Sequence, residues 1–424
     1  MKQKLLMFVV ACLCAVGAKA DWVTTTIDGL RYNLDTDTKT AEVTWTDDYY
    51  SGDIVVPSTV TYTVTTIGTE AFGYCRNLTS VVLPETIVEI YSGAFYQSTK
   101  LTSIRIPAAV AEISAGAFGG STSMTAIEVD EANPYFASSD GVLYNKDLSE
   151  LVAFPAGKAT QFTIPSTVTA IGGGAFSNCT PLTSITIPEG VVTIGEGAFT
   201  RCTGLTSVVI PNSVTEMGDA FDNCSGLTNV TLGEGLTRID SYSFRRCTAL
   251  TSISIPNAVT EIGEYAFLYC TSLATVYLGE NINSLVSSCF FGCGLKDFYC
   301  AATTPPDAEG AFDDNVSTAA VLHVPTGTRD SYAASYGWMK FFSVTEYDAA
   351  GISGVTVSDA TVSARDGKVV FSNVAAGESV SLYSTEGKLL KSATAASAGV
   401  VSLDADQPVV VAKVGDRSFK LSTK

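Results

Sequence analysis

The sequence predicts a mainly β solenoid with coils of about 23 residues, a cap at each end and a small β-sandwich after the second cap. Three observations predict this fold. A short motif returns at a constant spacing, each copy ends in a β-strand pattern, and 46% of the residues are hydrophobic while only 16% are charged, which is typical of a folded chain. A single coil cannot bury its own apolar side, so the coils must stack around a shared core.

The repeat is marked by the dipeptide Ala-Phe, which becomes Ser-Phe or Cys-Phe in two copies. Most successive copies are 23 residues apart, and one interval of 58 residues indicates an insertion. Such regular spacing predicts a solenoid rather than several unrelated domains. The repeated phenylalanines are Phe72, Phe95, Phe118, Phe176, Phe199, Phe221, Phe244, Phe267 and Phe290.

A typical copy, residues 191–211, ends in the pattern Leu-x-x-Val-x-Ile-Pro, which is the strand signature of leucine-rich repeats. Alternation with period two points Leu205, Val208 and Ile210 into the core. Pro211 lacks a backbone N–H and therefore ends the strand. The residues expected to line the returning side of the coil are Val192, Ile194, Ala198, Phe199 and Cys202.

The solenoid is predicted at residues 64–303, with a β-hairpin insertion at about residues 130–160. The insertion accounts for the long interval in the repeat. It contains Asp140 and Gly141, a dipeptide that favours a tight hairpin turn.

The segments on either side of the solenoid are interpreted as caps, because an open end would expose core and an unpaired strand edge. Residues 21–63 are predicted to form the N-terminal β cap, and residues 304–350 the C-terminal cap. In the second cap we expect a short helix at residues 328–338, with Phe341 and Phe342 packed beneath it.

Beyond the second cap, the composition shifts to Val, Ser, Ala and Gly. Short segments that alternate apolar and polar residues predict an immunoglobulin-like β-sandwich at residues 351–424. Its predicted strands are residues 368–372, 379–384, 399–403, 409–414 and 418–421.

Residues 1–20 have the pattern of a secretory signal peptide. A basic start, an apolar stretch at residues 5–16, and the small residues Ala18 and Ala20 predict cleavage before Asp21. The apolar stretch is too short to span a bilayer, and no other stretch is a transmembrane candidate. A lipoprotein signal with Cys12 as the lipidated residue is the alternative. The sequence thus predicts an exported protein, outside the cell or on its outer surface.

The repeat unit Ile-Gly-x-x-Ala-Phe-x-x-Cys-x-x-Leu-Thr-Ser-Val-x-Ile-Pro resembles the BspA-type leucine-rich repeat of bacterial surface proteins, especially those of Bacteroides relatives. The resemblance extends over about residues 60–303. It implies a secreted or cell-surface binding protein, since some members of that family are described as adhesins for host matrix proteins or other cells.

The tail, at residues 377–390, resembles the C-terminal sorting domain that the type IX secretion route reads. That domain usually has Gly-x-Tyr at its penultimate strand, where this chain has Gln407-Pro408-Val409. A plain immunoglobulin-like module is therefore the alternative.

Charge and histidine content exclude several classes of function. The chain has 43 acidic and 25 basic residues and a formal charge of −18. Nucleic acids and anionic membranes attract basic surfaces, so neither is an expected partner. His323 is the only histidine, which leaves no ordinary Ser-His-Asp site unless this residue belongs to it. We predict a non-enzymatic protein with no catalytic residue, metal or cofactor.

Cysteine recurs three residues after the repeated phenylalanine. Equivalent positions in stacked coils project in parallel and cannot all pair, so we interpret this column as buried free thiols, with a disulfide ladder or a metal stripe as the alternatives. A zinc site that uses Cys289 and Cys293 would have only His323 as a nitrogen ligand. The column comprises Cys75, Cys179, Cys202, Cys224, Cys247, Cys270 and Cys293.

The outward-facing position of each repeat strand is where the sequence can indicate a binding surface. Most of these residues are small, but Arg105, Glu128, Tyr277 and Tyr299 are not, and we predict them as binding residues for a protein ligand on host matrix or another cell. The alternatives are two tyrosines that only shield the sheet, or a surface that captures carbohydrate. His323 is expected to face outward as an ordinary surface residue.

Overall fold

The computed structural model describes residues 22–314 and 319–347, together with strands between residues 361 and 422. These residues form a β-solenoid of about 13 turns with a spacing of about 23 residues, and about 3% are helical. The predicted mainly β solenoid is therefore confirmed. The signal peptide predicted at residues 1–20 lies outside the described residues.

The fold consists of two compact units, Met1–Lys146 and Asp147–Lys424. The strands of the first unit are β1 (Trp22–Ile27), β2 (Leu30–Asp35), β3 (Thr40–Thr44), β4 (Ser51–Val55), β5 (Thr63–Ile67), β6 (Asn77–Val82), β7 (Glu89–Ile90), β8 (Ser103–Ile106), β9 (Glu112–Ile113), β10 (Ala126–Val129), β11 (Phe136–Ser139) and β12 (Val142–Asn145). Strands β1, β2 and β3 are antiparallel neighbours, whereas β3, β5, β7 and β9 pair in parallel. In a second ladder, β4 pairs with β6 and β8 with β10, also in parallel.

Strands β11 and β12 form an antiparallel hairpin in the first unit, with Ser139 opposite Val142. The two residues between them, Asp140 and Gly141, have φ angles of 50° and 70°. Positive φ at both positions matches the twist of the flanking strands, which explains the Asp-Gly sequence at this turn.

The second unit continues the same pattern of short parallel strands. The strands before the tail are β13 (Glu150–Ala153), β14 (Gln161–Thr163), β15 (Ala170–Ile171), β16 (Ser184–Thr186), β17 (Thr193–Ile194), β18 (Ser207–Val209), β19 (Glu216–Met217), β20 (Asn229–Thr231), β21 (Arg238–Ile239), β22 (Ser252–Ile255), β23 (Glu261–Ile262), β24 (Thr275–Leu278), β25 (Ser284–Leu285), β26 (Asp297–Cys300), β27 (Val321–Pro325) and β28 (Ser343–Tyr347). The longer strands form two parallel sheets, β14-β16-β18-β20 and β22-β24-β26-β27-β28.

The repeated phenylalanines form the centre of the core. In the second unit, successive rings from Phe154 to Phe312 stack with centroids 4.9–5.9 Å apart. Phe72, Phe95 and Phe118 do the same in the first unit. One ring per coil therefore gives a continuous stack in each unit, in the offset geometry that aromatic pairs prefer.

The typical copy folds largely as predicted. Leu205, Val208 and Ile210 are buried, as is most of the returning side of the coil. Val192 is the exception: it was expected to face inward but is 43% exposed, and Val191 is buried instead. The short strand β17 begins only at the following residue, so the alternation with period two does not extend back to Val192.

The cysteine column is buried, as predicted, except that Cys293 is partly exposed. From Cys202 onward, each thiol of the column donates a hydrogen bond to the carbonyl oxygen of the phenylalanine in the preceding coil, with Sγ–O distances of 3.0–3.3 Å. Cys179 donates to Phe154 at 3.8 Å, whereas Cys75 accepts a hydrogen bond from the backbone N–H of Tyr50. Ser98 and Ser121, in the same position of earlier coils, donate to Phe72 and Phe95 in the same way. In most coils this position therefore holds a small side chain that donates a hydrogen bond to the coil before it.

The segment predicted as the C-terminal cap differs from the prediction in two details. Helix α1 (Arg329–Ala334) is shorter than expected, and a separate 3₁₀ turn follows at Trp338–Lys340. Phe341 is buried as predicted, but Phe342 is 84% exposed. The backbone after the 3₁₀ turn is extended, so adjacent side chains point in opposite directions and only one of the two phenylalanines can reach the core.

The tail strands are β29 (Thr361–Arg365), β30 (Lys368–Val374), β31 (Ser379–Tyr383), β32 (Leu389–Thr394), β33 (Gly399–Asp404), β34 (Val409–Val414) and β35 (Arg417–Ser422). They form two antiparallel sheets, β29-β30-β33 and β32-β31-β34-β35. The five predicted strands are present, while β29 and β32 were not predicted.

None of the helices in the described part of the chain has the length and apolarity needed to cross a bilayer.

Candidate functional site

The last coils of the second unit align their outward-facing residues in one column. Parallel pairing of β22, β24, β26, β27 and β28 places Ser254, Tyr277, Tyr299, His323 and Thr345 at equivalent positions. Because neighbouring strands are about 4.8 Å apart, planar side chains at these positions can stack face to face.

Three of these residues form a ring stack, which consists of Tyr277, Tyr299 and His323. The two tyrosine rings have centroids 4.7 Å apart and an interplanar angle of 18°. The imidazole ring lies on the other face of Tyr299, at 4.1 Å and 9°. The structure thus places both predicted tyrosines side by side on the strand face, and all three rings are partly exposed.

His323 faces outward as predicted, but it is not an ordinary surface residue, because only 18% of its side chain is exposed. Its Nε2 lies 2.9 Å from Oδ1 of Asp297, and its Nδ1 lies 2.7 Å from Oγ1 of Thr345. A carboxylate only accepts hydrogen bonds, so Nε2 donates to Asp297, and in the neutral imidazole Nδ1 accepts from the hydroxyl of Thr345. The sequence did not predict β28, the strand that covers this side of the ring.

A hydroxyl, an imidazole and a carboxylate in a row have the connectivity of a hydrolase triad. Here the imidazole is also stacked on Tyr299, and its two nitrogens join β26 and β28 to the strand between them. We therefore interpret His323 as a cross-link that fixes the end of the sheet and the position of the ring stack.

The tyrosines of the ring stack are neutral phenols near neutral pH, because the pKa of each is raised. Burial raises the pKa of both Tyr277 and Tyr299, and the nearby carboxylate of Asp297 raises each further. Tyr299 has a ring on both faces, whereas Tyr277 has the small residue Ser254 as its neighbour on the far side. One face of Tyr277 is thus not covered by another ring of the column.

Arg105 and Glu128 belong to the first unit, where parallel pairing of β8 and β10 makes them neighbours. The guanidinium of Arg105 is bound by Glu85, at 2.7 Å, and by Asp130. These hydrogen bonds raise the pKa of Arg105 and hold its side chain against the surface. Glu128 is exposed beside it. The structure does not place these two residues and the ring stack in the same unit.

The described residues include no group of three or more His, Cys, Asp or Glu side chains arranged to hold a metal ion. Burial raises the pKa of the described cysteines, for example to about 12 for Cys270 and to about 11 for Cys300. Thiols with such pKa values are poor nucleophiles and poor metal ligands near neutral pH, because both roles need the thiolate.

Solved structures of bacterial proteins resemble the chain at low identity. A leucine-rich repeat protein from Eubacterium ventriosum is 23% identical over 78% of this chain and 94% of that chain, with a TM-score of 0.45. One from Bacteroides ovatus is 23% identical over 76% and 90%, with a TM-score of 0.43. A leucine rich cell surface protein from Faecalibacterium prausnitzii is 25% identical over 79% and 96%, with a TM-score of 0.39.

A comparison with curated proteins found no match. The comparison with protein families did, since residues 49–155, 150–220 and 218–317 match the family described as BspA type Leucine rich repeat region, in six copies. Such repeat proteins are typically non-enzymatic, and the family suggests a role in protein interaction. Together the matched residues cover more than half of the chain, which therefore belongs to the BspA type leucine rich repeat family.

Proposed function

We propose that this chain is an exported surface protein that adheres to a protein of the host matrix or of another cell, without catalysis. The single observation that supports this most directly is the ring stack of Tyr277, Tyr299 and His323. It places large, partly exposed aromatic side chains on a strand face where Ser254 and most other outward residues are small.

The geometry of the ring stack suits an interaction hot spot. Tyrosine offers a large contact area and has only two side-chain torsions to immobilise. In this stack, Tyr299 is already held between two rings, so its side chain would lose little conformational entropy when a partner binds. The face of Tyr277 toward Ser254 has no ring neighbour in the column, and a side chain of the partner would extend the stack on that side.

Export and surface location are parts of the same proposal. The leader pattern at residues 1–20 supports export, and the membership of a surface-protein family supports an external location. We assign residues 21–63 and 304–350 as caps of the solenoid at 64–303. We assign residues 351–424 as an immunoglobulin-like module that sorts or attaches the protein at the surface.

The test is a binding measurement on the chain from Asp21 onward, with immobilised fibronectin, laminin and collagen. We expect the double variant Tyr277→Ala/Tyr299→Ala to lose at least about tenfold in affinity, which corresponds to about 1.4 kcal/mol. Val209→Ala is the matched control, because Val209 is an outward strand residue of the same unit and is 48% exposed. Unchanged affinity of the double variant would remove the ring stack from the site, and failure to bind any matrix protein would contradict the adhesin proposal.

A further inference from the structure

The turn after β26 departs from the repeat and opens a groove in the second unit. In earlier coils the corresponding turn is closed by an asparagine: the backbone N–H of Glu234 donates to Oδ1 of Asn212, and that of Glu280 donates to Oδ1 of Asn257. After β26 the chain instead continues through two threonines and two prolines, Pro305 and Pro306.

The prolines interrupt the hydrogen bonds between this turn and the coil before it. Ala301 N donates to the carbonyl oxygen of Leu278 at 3.1 Å, and the ladder resumes where Asp307 N donates to that of Asn283 at 2.9 Å. Proline has no backbone N–H to donate between these two points. The two turns are therefore not held together there, and they flank a groove of about 460 Å³.

The groove is lined mainly by polar side chains. Its apolar lining residues are Ala258 and the nearly fully buried Ile282 and Ala302. The rim consists of amide, hydroxyl and carboxylate side chains. They are Asn257, Thr260, Glu280, Asn281, Asn283, Thr303 and Thr304.

The rim amides retain unused hydrogen-bonding groups. Asn257 uses Oδ1 to accept from Glu280 N, and Asn281 uses Nδ2 to donate to the carbonyl oxygen of Asn257 at 3.0 Å. Among the hydrogen bonds of the described residues, Nδ2 of Asn257, Oδ1 of Asn281 and the whole amide of Asn283 are not engaged. Each amide has two donor hydrogens and two acceptor lone pairs, so the rim presents donors and acceptors together.

We propose that this groove binds a neutral carbohydrate. Sugar hydroxyl groups both donate and accept hydrogen bonds, so they match the donors and acceptors of the amide groups that line the groove. A divalent cation would prefer several carboxylates, and the rim has only Glu280. A phosphorylated or sulfated ligand would prefer basic residues, and the described rim has none.

The test uses the chain from Asp21 onward on an array of neutral oligosaccharides, followed by calorimetric titration with the glycan of highest signal. We expect the double variant Asn281→Ala/Asn283→Ala to lose at least about tenfold in affinity, because it removes two amide groups that would bind the sugar hydroxyl groups. Asn229→Ala is the control, because Asn229 is an exposed asparagine of the same unit outside the groove. Tyr277→Ala/Tyr299→Ala should keep glycan binding, which separates this proposal from that of protein adhesion.

Three results would overturn the proposal. One is the absence of binding to any neutral glycan on the array. Another is equal binding by the wild-type protein and the Asn281→Ala/Asn283→Ala variant, which would place the glycan elsewhere. The third is a binding isotherm with calcium chloride alone that Glu280→Gln removes, which would make the groove a cation site.

Discussion

The imidazole ring of His323 stacks on the ring of Tyr299 with their centroids 4.1 Å apart, and Asp297 on the same strand as Tyr299 binds the imidazole at 2.9 Å. Stacking fixes the plane of the imidazole, and the hydrogen bond fixes its rotation. The position of the Tyr299 ring in the stack is therefore fixed in part by His323, although the side chain of His323 is only slightly exposed to solvent.

Replacement of His323 by alanine should lower the free energy of unfolding by about 1–3 kcal/mol, because an aromatic pair and two hydrogen bonds are lost. His323→Phe retains a stacked ring but not the hydrogen bonds, so we expect a smaller loss. Urea denaturation, monitored by tyrosine fluorescence, measures the free energy of unfolding of both variants. If His323→Ala unfolds at the same urea concentration as the wild type, the cross-link has no structural role.

Replacement of Phe244 by alanine should cost about 3–5 kcal/mol, because it removes a fully buried ring from the middle of the phenylalanine stack. Phe342→Ala is the matched control, since Phe342 is 84% exposed, and we expect a change within about 0.5 kcal/mol. Thermal and urea unfolding compare the two variants. Equal losses would mean that the stack is not the centre of the core.

Cys247 should tolerate serine better than valine. Serine preserves the donor to the carbonyl oxygen of Phe221, as Ser98 and Ser121 do for other phenylalanines. Valine removes this hydrogen bond, while the oxygen still accepts from the backbone N–H of Cys224 at 3.2 Å, so we expect a cost of about 0.5–1.5 kcal/mol. The comparison is the urea midpoint of Cys247→Ser and Cys247→Val at neutral pH. A more stable valine variant would show that the position selects only for size and apolarity.

The buried thiols should make the folded chain sensitive to alkaline pH. Burial raises the pKa of Cys75 from 9.0 to about 11 and that of Cys270 to about 12. Between the unfolded and folded pKa values the native state binds more protons, so the free energy of unfolding falls as pH rises. The contribution of the protonated thiols to the free energy of unfolding is fully present below about pH 8 and is lost as the pH rises through about 9–12.

Two measurements check the pH dependence. The melting temperature should be insensitive to these thiols near neutral pH and should fall progressively above about pH 9. A thiol reagent at about pH 8 should react slowly with the native protein and rapidly in guanidinium chloride, because the native thiols are protonated and covered. Rapid reaction of the native protein would contradict the burial of the column.

Much of the fold follows from local pattern. The spacing of Phe199 from its equivalents sets the coil length, and alternation around Val208 identifies the core face of the strand. The alternation of apolar and polar residues does not predict which side chains are buried where a strand is very short, as at Val192. It also fails where two adjacent residues are both apolar, as at Phe341 and Phe342. In each case the direction of the side chain depends on a backbone turn that hydrophobicity does not specify.

In the candidate site, too, the sequence predicted the outward-facing positions but not the contacts between side chains of different coils. Tyr277 and Tyr299 were predicted because they occupy the outward position of known repeat strands. His323 occupies the next position of that column, but its stacking was missed because β27 and β28 lie beyond the last regular repeat. The groove beside Asn281 was missed as well, although the Pro305-Pro306 sequence is a signal that the ladder is interrupted there.

The sequence by itself determined the solenoid, its period, the buried columns and the outward-facing positions, because each is a matter of spacing along the chain. Only the tertiary structure decided which side chains from different coils meet. The contacts of His323 with Asp297 and Thr345, and the separation of the turns around the groove, depend on the register between strands 22 to 26 residues apart in the chain. That register comes from backbone pairing and core packing in three dimensions, which no single repeat encodes.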